Sequence, residues 1–188
     1  MLSHLYGTFE LLDAWGNSRD ACLAGLFHGI YGTETYLPMT IPLSERARVR
    51  QAIGEKAEAL VYLFCVGHRP FFMTLTPEQV FVYDRLTHSQ LAISGEQLGN
   101  LLEIEVANWV EQMPRYSMHD DVLDRFAVAV YASRTLISSK AYNAMLRALL
   151  DKCGQPPTLR RWAGHALANR VPLLRNTIGA VRRWRDTM

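Results

Sequence analysis

The stretch ACLAGLFHGI, residues Ala21–Ile30, decides how this chain is read. Cys22, Leu23, Leu26, Phe27 and Ile30 recur at helical spacing and make a bulky core face. Ala21, Ala24 and Gly25 form a second stripe of small residues that ends in His28. Small side chains three and four residues apart let another backbone come close. His28 is therefore expected inside, facing a neighbouring helix.

That neighbour is the segment just before it. Leu5, Phe9, Leu12 and Trp15 give Leu2–Trp15 one apolar side, and Gly16 is a natural stop. Asn17 or Ser18 can cap the next helix, which is expected to run to about Ile30. Two helices of similar length joined by a tight turn pack antiparallel. His4, near the start of the first, and His28, near the end of the second, then come to one level. That placement suits a shared hydrogen-bond network or a shared metal, since imidazole is a common transition-metal ligand.

Working outward, Tyr31–Pro42 reads as a loop, with Gly32, Pro38 and Pro42 as its breakers. Ser44 caps a helix to about Gln51, and Ile53–Val66 follows as another, ended by Gly67 and Pro70. Val80–Tyr83 and Gln90–Ile93 read as a small hairpin. Ser94 and Gln97 form a capping box that opens a helix over Gly95–Met113, closed by Pro114. On that helix Glu105, Asn108 and Gln112 make a polar stripe, facing either solvent or a pocket. Further helices are expected over Asp121–Ser133 and Lys140–Leu150.

Composition sets the outer bounds. The chain has 188 residues, 49% of them hydrophobic and 20% charged, ordinary values for a globular protein. The longest apolar run, Ala59–Val66, is far short of the roughly 20 residues of a membrane-spanning helix. Cys22, Cys65 and Cys153 are scattered and form neither a disulfide framework nor a metal doublet. No basic-then-apolar leader is read at the start, so a cytoplasmic setting is expected. Net charge is +2, but residues 151–188 carry +6 and residues 1–150 carry −4. Gln155-Pro156-Pro157 is read as a linker between a domain over 1–154 and a basic helical extension over 155–188. That extension, with helices at Leu159–Asn169 and Pro172–Arg185, is expected to pack on the core or on a second copy in a homodimer. No nucleic-acid-reading motif, Walker loop, dinucleotide fingerprint or serine nucleophile elbow is present. Nucleic acid is not an expected partner.

His4 on a first helix, LAGLFHGIYGTETY (Leu23–Tyr36), IGEKAEALVYLF (Ile53–Phe64) and LLEIEVANWVEQ (Leu101–Gln112) occur in the order of the landmarks of the HD-domain superfamily. Over about residues 1–135 the chain resembles a diverged member of it. It is nearest to a bacterial group with an AGLFHS-YGTE signature, and more distantly similar to the hydrolase domain of alarmone synthetase/hydrolases. The resemblance implies a mostly α, HD-like bundle with a small β-hairpin and a pocket for a small anionic metabolite. In active relatives a first-helix His, a His-Asp doublet and a later Asp hold a divalent metal that activates water against a phosphoester. Here His4 and His28 match the histidines, but the doublet's Asp falls on Gly29 and the late Asp on Asn108. A standard metal set is therefore missing, and no tightly bound Mn or Mg is expected. Glu34 or Glu105 could supply a carboxylate beside the two histidines, a set that also suits non-haem iron. The expected site comprises His4, His28, Glu34 and Asn108 as catalytic residues, with Arg46, Arg50 and Glu105 on the substrate. Three functions remain open: an HD-type hydrolase or lyase relative with a degenerate metal site, a non-catalytic ligand-binding or interaction module, and an iron-dependent oxygenase.

Overall fold

Local sequence signals set the helix ends before any packing is considered. The structure, a computed structural model, describes residues 2–76, 78 and 81–153, with the side chains of residues 72, 73, 120, 121 and 153 left aside. The expected linker and basic extension beyond residue 153 lie outside the described residues. Helix α1 spans Leu2–Trp15, and Gly16 follows it with φ +85°. Helix α2 spans Arg19–Phe27. Its cap is Ser18, whose hydroxyl accepts the Ala21 N–H at 3.2 Å. Asn17 instead donates to the Leu12 carbonyl and to Glu103.

The α2 helix stops three residues earlier than its apolar spacing suggests. His28 turns back on the helix and donates Nδ1–H to the Gly25 carbonyl at 2.6 Å. Tight turns then carry the chain onward, with Ile30 N–H on Phe27 and Gly32 N–H on Gly29.

A 3₁₀ turn over Leu43–Glu45 leads into α3, Arg46–Ile53. Gly54, at φ +94°, breaks the path, and α4 runs from Glu55 to Val66 rather than from Ile53. A single turn, α5 (Phe71–Thr74), was not legible in the sequence. Strands β1 (Phe81–Asp84) and β2 (Ser89–Ala92) pair antiparallel, with Phe81 opposite Ala92 and Asp84 opposite Ser89. Asp84 Oδ1 accepts the Leu86 and Thr87 N–H groups and so shapes the hairpin turn.

The Ser94/Gln97 capping box is formed in both directions and opens α6, Gly95–Gln112. This helix is the axis of the fold: it packs on α1, α2, α4, α5 and α8 and is almost continuously buried from Leu98 to Trp109. Helices α7 (Asp120–Ala132) and α8 (Ser139–Cys153) complete the bundle. The result is a mostly α fold with one small hairpin. Among the described residues no helix is long and apolar enough to cross a membrane.

The α1–α2 contact places the two histidines. A Cβ on Gly25 would stand 2.3 Å from Leu12 Cδ1 and 3.4 Å from Thr8 Cγ2. Only a glycine lets the helices come this close, so the small-residue stripe does face α1.

Candidate functional site

His4 and His28 meet between α1, α2 and α6. Their Nε2 atoms are 3.3 Å apart and their rings stand nearly perpendicular, with centroids 5.1 Å apart. Both Nδ1 atoms are already engaged: His4 by the Glu111 carboxylate, His28 by the Gly25 carbonyl. A carbonyl can only accept, so Nδ1 of His28 carries the proton and its Nε2 presents a lone pair. Burial drives the His28 pKa down to about 3, partly countered by the Gly25 carbonyl. Arg69 and His4 push in the same direction as burial. His28 is thus a neutral imidazole across the physiological range.

The surroundings hold this geometry. The edge of Phe64 packs on the His28 ring at 5.1 Å. The Cys65 thiol donates to the His28 carbonyl at 3.2 Å, and burial pushes that thiol up to about 12. On the other side, Arg115 and His4 hold the Glu111 carboxyl below its usual range against the opposing effect of burial. Gln112 Nε2 lies 3.2 Å from His4 Nε2 and donates to Asn108 Oδ1 at 2.6 Å. Tyr116 donates to Gln112 Oε1 at 3.0 Å, which fixes the orientation of that amide. The Asn108 side chain acts on His28 in the direction opposite to burial.

His4, His28, Asn108 and Gln112 form the polar floor of a cavity of about 470 Å³. Its walls are Leu5, Leu26, Phe27, Ile30, Pro70 and Trp109. Gly29 lies on the lining, and a Cβ built there meets nothing within 4 Å. The expected polar stripe of α6 faces this cavity rather than solvent, since Glu105, Asn108 and Gln112 all line it.

The structure brings together His4, His28 and Asn108, and it distributes the other expected site residues elsewhere. Arg46 and Arg50 are not on the lining. Both are committed to Glu58, which is fully buried on α4: Arg46 grips it through Nε at 2.6 Å and Nη2 at 3.0 Å, and Arg50 reaches it at 3.3 Å. Tyr31 adds a hydrogen bond to the same carboxylate. Glu34 also turns away from the cavity, because it accepts from the Arg69 N–H at 2.8 Å and from His68 at 3.0 Å. Glu105 lines the cavity but is bound up in an ion pair with Arg69 and accepts from Trp109 Nε1 at 2.7 Å. Burial pushes its carboxyl above the usual range, with Arg69 and Trp109 opposing. Glu111 is the site residue that sequence reasoning missed. Its signal was its place one turn beyond Asn108 and beside Gln112 on the same helix.

The divalent metal implied by the HD resemblance can be tested against this donor set. Two imidazole nitrogens and the Asn108 and Gln112 amides converge, and none of them brings a negative charge. The carboxylate at the site, Glu111, sits behind His4 on its Nδ1 side. Neither Glu34 nor Glu105 completes a set of ligands, and no group of three His, Cys, Asp or Glu converges among the described residues. A hard, oxygen-seeking cation such as Mg or Mn does not fit such a site, and a two-histidine-one-carboxylate iron site lacks its carboxylate.

Residues 1–69 are similar to a family whose model is described as a domain of unknown function (DUF6817). That segment contains α1, α2 and both histidines, and ends before Asn108 and Glu111. No curated protein and no solved structure matches the chain.

Proposed function

We propose that this chain is a small-molecule enzyme, a diverged relative of the HD proteins, that works by general acid–base chemistry rather than through their divalent metal. The observation that carries this reading is the orientation of the imidazole pair. Each ring is pinned at Nδ1, and each presents Nε2 to the cavity floor. Glu111 plays the part of the orienting carboxylate: it fixes the ring and balances the charge when His4 takes a proton. His4 Nε2 is then the base that removes a proton from water or from a substrate and returns it to the leaving group. His28, kept neutral by burial, is a hydrogen-bond acceptor that steadies the protonated His4 at 3.3 Å.

A second reading, a binding module without catalysis, is favoured by one detail. The Gln112 amide already lies against His4 Nε2, so the floor is largely satisfied without a reacting molecule.

Ester hydrolysis tests the choice, since imidazole bases activate water against esters. With 4-nitrophenyl butyrate as probe, His4→Gln and Glu111→Gln are expected to lower kcat/KM by about 10²-fold or more. Added chelator should leave the rate unchanged. Equal rates for the wild type and both variants would leave the binding module as the function.

A further inference from the structure

The charge inventory of the cavity identifies the kind of ligand it takes. Arg69 is the cationic residue of the lining apart from the histidines, and it is spent. It is 5% exposed, ion-paired with the fully buried Glu105, and its guanidinium lies 3.7 Å above the centre of the Phe64 ring. The arginines that could have served a phosphate, Arg46 and Arg50, are held on Glu58. Arg115, which is not on the lining, is bound to Glu111. An anion entering the cavity would meet the Glu105 carboxylate, with that of Glu111 behind His4, and no uncommitted guanidinium or ammonium among the described lining residues. Its desolvation would go uncompensated.

The walls favour the opposite kind of molecule. Leucine, isoleucine, phenylalanine and tryptophan side chains surround a space well beyond the ~150 Å³ of an apolar cavity that takes up benzene. The apolar surface also continues outward. Leu2, Tyr36 and Tyr116 line the cavity and are 81%, 40% and 39% exposed, so the mouth itself is greasy. The imidazole and amide groups are gathered at the floor, where they can take one hydroxyl or carbonyl, and the lining adds the small hydroxyls of Thr33, Thr35 and Thr40 elsewhere.

We infer that the ligand of this site is an uncharged, largely apolar molecule with a single polar head, seated with that head on His4, His28 and Asn108, and not a phosphorylated or otherwise anionic metabolite. This rests on the cavity being the functional site, as proposed above, but not on His4 being a catalyst.

A matched pair of probes tests it on the full chain. The neutral dye N-phenyl-1-naphthylamine, which brightens in apolar cavities, is bound first and then displaced by 1-naphthol or by 1-naphthyl phosphate. The two competitors share one apolar body and differ in the charge of the head. Naphthol is expected to displace the dye at a concentration at least tenfold lower than the phosphate. Gly29→Phe, which fills the cavity from a position with room for a side chain, should abolish the dye signal. Equal or tighter binding of the phosphate, its hydrolysis, failure of the dye to bind the wild type, or dye binding that ignores Gly29→Phe would each overturn the inference. Because displacement is read at equilibrium and needs no turnover, it succeeds or fails independently of the ester assay. A wild-type rate insensitive to His4→Gln would remove the catalytic reading and leave the ligand class standing.

Discussion

His4 Nε2 faces His28 Nε2 across 3.3 Å, and both rings are tethered from behind. Two nitrogen lone pairs at that distance repel unless a proton or a donor lies between them. Glu111 holds His4 from behind, while burial keeps His28 neutral. The pair is therefore asymmetric in its surroundings, with a carboxylate behind one ring and a backbone carbonyl behind the other.

The acid limb of the stability curve follows from His28. Its folded pKa, about 3, lies below the ordinary value near 6.5, so the unfolded chain binds a proton that the native state refuses. The stabilisation is complete above about pH 6.5 and is lost as pH falls toward about 3, at no more than about 1.4 kcal/mol per pH unit. In thermal melts, Tm of the wild type should fall over that window, and His28→Gln should flatten the slope. His68 has the opposite sign. Its hydrogen bond to Glu34 raises it, so its contribution is present at low pH and fades as pH rises through the raised value. That pair is half exposed, and its effect should stay below about 1 kcal/mol. A His28→Gln variant with an unchanged acid slope would contradict the assignment.

The Glu58 cluster should behave as a folding clamp, and asymmetrically. Removing Arg46 leaves a fully buried carboxylate with Tyr31 and a half-exposed Arg50. Arg46→Met is expected to cost about 3 kcal/mol in urea denaturation. Glu58→Gln should cost less, because the Arg46 side chain, 27% exposed, can turn toward water. Neither change should alter the selectivity of the cavity for naphthol over naphthyl phosphate. An altered ligand preference in Arg46→Met would return that arginine to the binding site.

These contrasts mark where the sequence was readable. The ends of α1, the Ser94/Gln97 box and the hairpin are set by neighbours within a few residues, and local spacing is enough to find them. The meeting of His4, His28 and Asn108 was legible because a tight turn and a small-residue stripe constrain how α1 and α2 pack. Arg46 and Arg50 lie off the lining for a physical reason. A basic run on a helix looks uncommitted until the next helix folds back and presents Glu58. The early end of α2 was hidden similarly, since apolar spacing continues to Ile30 while the His28 side chain takes the Gly25 carbonyl. Glu34 looked like a pocket residue because its loop neighbours Thr33 and Thr35 are on the lining, yet its own side chain points to Arg69 and His68.

The two carboxylates of the HD pattern can be introduced as a check on the proposed relationship to HD proteins. Gly29 has open space for a side chain, so Gly29→Asp together with Asn108→Asp should add two carboxylates to the histidine pair. Calorimetry should show Mn²⁺ binding by the double variant at least tenfold tighter than by the wild type, since hard cations prefer charged oxygen ligands. Tight Mn²⁺ binding by the wild type would reverse the judgement that its donor set does not fit.

Two glycines of the α1–α2 region should separate folding from function. A Cβ on Gly25 runs into Leu12 Cδ1 at 2.3 Å in the helix interface, and Leu12 is fully buried, with little room to yield. Gly25→Ala is expected to destabilise by about 1–3 kcal/mol of overpacking, reduced by the better helix propensity of alanine. A Cβ on Gly7 meets only a side chain, Glu111 Cγ, at 2.9 Å. Alanine there improves α1 by up to about 1 kcal/mol while pushing Glu111 off His4. Gly7→Ala should therefore melt at or above the wild-type temperature, yet lose most of its ester turnover, because His4 no longer has its orienting carboxylate. A Gly7→Ala protein with full turnover would show that the contact does not matter to the chemistry.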